Sequence, residues 1–145
     1  MSLDIVPLSY GVGAEIRNVD LSQPVGDALA RDIKQAWNDH HVLLIRDQDI
    51  TPEQHLAFTN ALGPTEPYPL VHYQHPEVPE IFLLTNMKIN NKASETRDAG
   101  RHWHADLSFT TNPAVGSILR CIKTPDVGGD TMFANQHLAY DRLSP

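Results

Sequence analysis

The stretch Arg101-His102-Trp103-His104-Ala105-Asp106-Leu107-Ser108-Phe109 constrains this chain more than any other. His102, His104 and Asp106 stand at alternate positions, and in an extended strand alternate side chains share one face. Trp103, Leu107 and Phe109 would then lie on the opposite face and give the strand an apolar body. A strand with that body brings its polar face into the fold, and a polar face held inside needs an occupant.

An imidazole and a carboxylate two residues apart make up two thirds of a facial triad. With one further His and open positions, that triad is how non-haem iron enzymes hold Fe(II). Taken alone, His-x-Asp is a common pair, and only its setting gives it meaning. The spacing therefore names His104 and Asp106 as candidate metal ligands, with His102 as a third potential donor.

The bulk composition narrows the alternatives. At 145 residues the chain suits one domain with a buried core. A net charge of −7 with no clustered Lys or Arg argues against nucleic acid and anionic membrane surfaces as partners. Cys121 is the single cysteine, so no intrachain disulfide forms and a reducing, cytoplasmic location is expected. Its apolar neighbours Ile118, Leu119 and Ile122 suggest a buried structural thiol. The N-terminus lacks the pattern of a signal peptide, and no apolar run reaches membrane-spanning length.

In chain order, residues 5–8 and 14–17 read as short strands around a glycine-containing turn. A helix is expected from Asp27, with Leu29, Ile33 and Ala36 or Trp37 at helical spacing. His40 and His41 suit a cationic helix end better than a metal site. The run Val42-Leu43-Leu44-Ile45 reads as a strand covered on both faces. Thr51, Pro52 and Gln54 predict a capped helix that Gly63-Pro64 stops.

Residues 64–80 hold five prolines and read as a long irregular connection. Residues 81–84 suggest a strand, and residues 86–100 a mobile polar loop that is either a lid or a solvated connection. Strands are expected at 114–121 and 131–134, on either side of the turn Asp126-Val127-Gly128-Gly129-Asp130. Asn135 opens a closing helix. The mixed order predicts an α+β sheet protein, and no Gly-x-Gly-x-x-Gly is present to bind a dinucleotide.

Several of these landmarks occur in an order that resembles the taurine dioxygenase (TauD/TfdA) family of Fe(II)- and 2-oxoglutarate-dependent dioxygenases. They are Gly13-Ala14-Glu15-Ile16, Val42-Leu43-Leu44-Ile45-Arg46-Asp47-Gln48, Trp103-His104-Ala105-Asp106, Gly128-Gly129-Asp130-Thr131 and Ala139-Tyr140-Asp141-Arg142-Leu143-Ser144. The resemblance runs from about residue 5 to residue 145. It implies a double-stranded β-helix, or jelly-roll, core with flanking helices. It also implies Fe(II) with 2-oxoglutarate and O2 as co-substrates, His104 and Asp106 as the first two iron ligands, and Thr131 as a hydrogen-bond partner of the 2-oxoglutarate carboxylate. A small organic substrate, such as a sulfonate or another anion, would be hydroxylated as succinate and CO2 are released. Tyr68 and His102 are the substrate-side candidates, and taurine itself is not expected.

The family pattern also holds a second His ligand and a 2-oxoglutarate-pairing Arg further downstream, and neither has a counterpart here. The expectation is therefore residues 1–145 as the N-terminal part of such a domain, with an incomplete jelly roll. Alone it should be inactive unless another chain supplies the rest; homo-oligomerisation is left open. Two other readings stand beside this one. One is a non-catalytic remnant or interaction module of the same fold. The other is a non-oxidative, cupin-like metalloenzyme using His102, His104 and Asp106 together.

Overall fold

Burial alternates along the strand Ala14–Arg17 (β2): Ala14 and Ile16 are buried and Arg17 is exposed, as a half-covered strand requires. The computed structural model describes residues 3–67, 69–89 and 92–144. By its contacts the chain divides into two units, Met1–Pro64 with Ile122–Pro145, and Thr65–Cys121.

In the first unit β2 is the middle strand of three. Asp4–Pro7 (β1) pairs with it antiparallel, with Ile5 opposite Ile16 and Pro7 opposite Ala14. Leu43–Leu44 (β3) pairs with its other edge in parallel, with Ala14 opposite Leu43. A parallel neighbour needs a crossover connection, and the helix Asp27–His40 (α1) provides it. Ala30, Ile33 and Ala36 recur at three-residue steps on its buried face. The helix Pro52–Leu62 (α2) packs on α1 and buries Phe58. Its start is the expected capping box: Gln54 N–H donates to the Thr51 hydroxyl and Thr51 N–H donates to Gln54 Oε1 at 2.8 Å. The helix Gln136–Asp141 (α3) is capped by Asn135, whose Oδ1 accepts the N–H of Leu138.

Gln48 ties the loop after β2 to the segment after β3. Its Oε1 accepts the N–H of Leu21 at 2.8 Å, and its Nε2 donates to the carbonyls of Val19 and Arg46. Truncating such a side chain leaves partly buried backbone groups without partners. Gln48→Ala should lower the unfolding free energy by roughly 1–3 kcal/mol. Urea denaturation measures this, and a loss below about 0.5 kcal/mol, the range of ordinary surface changes, would remove the clamp from the account.

In the second unit Gln74 and Phe82 form an antiparallel bridge, flanked by His75 N–H to the Ile81 carbonyl and Leu83 N–H to the Tyr73 carbonyl, both 2.8 Å. Lys88–Ile89 (β4) and Lys92–Ala93 (β5) make a two-residue antiparallel ladder. Thr96 is buried; its hydroxyl accepts the Thr85 N–H and donates to the Thr85 carbonyl. The polar segment expected as a mobile loop thus carries local structure and an anchor at Thr96.

The α+β class holds and the sheet is incomplete, as expected, but several strands differ from the sequence reading. Residues 102–106 are irregular and pass into a turn at Asp106, with Leu107 at φ 52°. Residues 114–121 and 131–134 form no strand, and 81–84 contributes only the bridge at Phe82. The physical reason is shared: a strand is held by a neighbour's ladder, and among the described residues no such ladder extends along these segments beyond the bridge at Phe82. For the same want of a covering layer Trp103, Phe109, Val115 and Met132 are exposed, and Cys121 is an exposed thiol where a buried one was expected. Among the described residues no helix is long and apolar enough to cross a membrane.

Candidate functional site

The second unit brings His104 and Asp106 together without a strand. His104 Nε2 lies 3.2 Å from Asp106 Oδ1. The turn that begins at Asp106 redirects the chain, so the pairing comes from local backbone geometry and not from pleat alternation. Both side chains are about half exposed, at 54% and 52%. Even with a protonated imidazole, a contact this solvated adds at most about 1 kcal/mol to stability, so its significance lies in the atoms it brings together.

Each donor has its second polar atom engaged. His104 Nδ1 lies 2.8 Å from the backbone carbonyl of His102. A carbonyl oxygen can only accept, so Nδ1 carries the proton and donates it. In the neutral ring this leaves the lone pair on Nε2, the nitrogen that faces Asp106. On Asp106, Oδ2 accepts the hydroxyl proton of Ser117, which leaves Oδ1 as the oxygen facing His104.

This donor set fits a divalent cation. Two adjacent donors, each about 2.1 Å from one six-coordinate ion, sit about 3 Å apart, close to the observed 3.2 Å. An imidazole nitrogen and a carboxylate oxygen suit iron or manganese better than a soft thiophilic ion. His104 and Asp106 could therefore hold such an ion as a pair. Among the described residues no group of three or more His, Cys, Asp and Glu side chains is arranged for a metal.

The structure gives His102 a part through its backbone carbonyl, while its ring is exposed and forms no three-ligand group with the other two. This is a correction to the reading in which all three residues act together. Thr131 belongs to the first unit, where it is exposed in irregular chain after Gly128 and Gly129, at φ 76° and 78°. Tyr68 lies outside the described residues. Ser117 escaped the sequence reading, although one signal was present: a lone hydroxyl inside the apolar run of residues 114–122.

Comparison with known proteins gives a consistent set of relatives. The family model described as "Taurine catabolism dioxygenase TauD, TfdA family" matches residues 4–145. An alpha-ketoglutarate-dependent 2,4-dichlorophenoxyacetate dioxygenase of Cupriavidus pinatubonensis is 30% identical over 154 residues, covering 99% of this chain and 53% of the relative. An alpha-ketoglutarate-dependent sulfate ester dioxygenase of Pseudomonas putida is 33% identical, covering 99% of this chain and 45% of the relative. Among solved structures, a taurine dioxygenase from Burkholderia xenovorans is 32% identical with a TM-score of 0.52, over 57% of this chain and 29% of that one. The chain spans about half the length of the curated relatives it matches.

Proposed function

Because the chain belongs to the TauD, TfdA family, we propose that it is part of an Fe(II)- and 2-oxoglutarate-dependent dioxygenase, in which His104 and Asp106 are two of the protein donors to the metal. The observation that carries the reading is the pairing of His104 Nε2 with Asp106 Oδ1 at 3.2 Å, with Nδ1 protonated toward the His102 carbonyl. The reaction consumes substrate R–H, O2 and 2-oxoglutarate and yields R–OH, succinate and CO2. One oxygen atom enters the alcohol and the other enters succinate.

Fe(II), when bound, would supply the oxidising chemistry with O2 and 2-oxoglutarate, and the chain would supply binding and orientation. His104 would present the Nε2 lone pair to the metal, because the His102 carbonyl favours the tautomer with its proton on Nδ1. Asp106 offers one carboxylate oxygen and neutralises part of the charge of the ion. Thr131 supplies a hydroxyl donor for the 2-oxoglutarate carboxylate, a short and stiff contact suited to an anion. The exposed His102 ring and Tyr68 are assigned to the substrate side. The substrate class is a small organic anion, supported by relatives named for an aryloxyacetate and for sulfate esters. A single cysteine and an oxidisable iron suit the reducing cytoplasm.

Two half-exposed donors hold an ion weakly. Turnover therefore requires at least one further donor, and the 145-residue chain alone should bind Mn(II) or Fe(II) without turning over. The test supplies 2-oxoglutarate, O2 and Fe(II) and follows succinate. Metal binding with no succinate from the isolated chain, and substrate-dependent succinate from a form that carries a further donor, is the expected result. Robust turnover by the isolated chain would overturn the two-donor account, and absence of any metal binding would favour a non-catalytic module of the same fold.

A further inference from the structure

We infer that Ser117 is a positioning residue for Asp106: by donating its hydroxyl proton to Oδ2 it fixes which carboxylate oxygen is offered beside His104 Nε2. The inference rests on the donor reading of His104 and Asp106 given above. A solvated aspartate turns readily about its terminal torsion, and its two oxygens are equivalent. At 52% side-chain exposure, burial does not hold Asp106 in one orientation. The hydroxyl of Ser117, eleven residues further along the same unit, breaks the equivalence, because it engages Oδ2 while Oδ1 faces the imidazole.

Two consequences follow from the chemistry of the carboxylate. With Oδ2 occupied, Asp106 binds an ion through one oxygen, so a second coordination position is not consumed by the same side chain. The torsional freedom that a metal would otherwise have to quench is already reduced, which raises affinity. Ser117 thus does for Asp106 what the His102 carbonyl does for His104, and each donor has its far atom held by a partner. Such outer partners typically contribute about 10- to 100-fold in metal affinity.

Mn(II) binding to the 145-residue chain, read from the free-ion paramagnetic signal, tests this with four variants. Ser117→Ala and Ser117→Val should weaken Mn(II) affinity about tenfold or more. Ser117→Thr, which has the volume of the valine variant but keeps the hydroxyl, should stay near wild type. Ser117 is exposed, so thermal unfolding of all three should match the parent chain. Equal affinity of the threonine and valine variants would overturn the inference, as would a fall in thermal stability with affinity unchanged. His104→Ala is measured in parallel. If it loses Mn(II) while the serine variants do not, the role of Ser117 fails and the donor reading survives. If it binds Mn(II) like the wild type, the donor reading fails and takes this inference with it.

Discussion

His104→Ala and Asp106→Ala should each weaken divalent-metal binding by at least about 100-fold, beyond the loss typical of an outer partner, whereas His102→Ala should leave it unchanged. The asymmetry follows from which atoms each residue contributes. His104 and Asp106 present Nε2 and Oδ1 to one another at 3.2 Å. His102 contributes a backbone carbonyl, and alanine retains that group. Titration of the three variants with Mn(II) reads the result. Equal losses at His102 and His104 would restore the reading in which both rings coordinate.

Ile33→Ala is the substitution expected to cost most in folding, about 2–5 kcal/mol. Ile33 is 1% exposed and lies on the buried face of α1, the crossover that makes the parallel pairing of β2 with β3 sterically feasible. Its side chain fills the space between that helix and its neighbours, so truncation loses transfer free energy and leaves a cavity. Val115→Ala is the natural control. Val115 is 94% exposed, so its loss should stay within about 0.5 kcal/mol. Urea midpoints of the two variants separate these outcomes, and similar midpoints would mean that the first unit is not held by this core.

The contrast between these two residues explains what the sequence could reveal. Helices carry their own hydrogen bonds, so their signals are local: the periodicity of Ala30, Ile33 and Ala36, the Thr51–Gln54 box and the Asn135 cap all mark elements that form. The antiparallel pair β1 and β2 was legible for a similar reason, since the turn that joins them is only a few residues long. Strand character in residues 114–121 is a statement about side chains that fit a covered, pleated surface. Among the described residues that run forms no strand, and Val115 and Leu119 are exposed. The chain spans about half the length of its relatives, so pairing information for these runs need not reside in the segment that shows the propensity.

The geometry of the candidate site differs from the sequence reading. His-x-Asp marked two side chains that do meet at 3.2 Å, but the alternation argument required an extended backbone through Asp106, and a turn with Leu107 at positive φ replaces it. The contact His102 makes with His104 runs through its backbone carbonyl, a contribution that residue type does not encode. Ser117 lies eleven residues from its partner. Only a polar residue out of place in an apolar run hinted at it. Thr131 was named from the resemblance alone; locally it is exposed, in irregular chain after Gly128 and Gly129.

The central claim is that one ion binds between His104 Nε2 and Asp106 Oδ1, and nitrogen spectroscopy of the histidine side chains addresses it directly. In a chain with isotopically labelled histidine, titration with diamagnetic Zn(II) should move the His104 Nε2 resonance to the coordinated range while Nδ1 keeps its proton. The His102 ring should not coordinate. Coordination first at another histidine, or through His104 Nδ1, would contradict the assignment at its root.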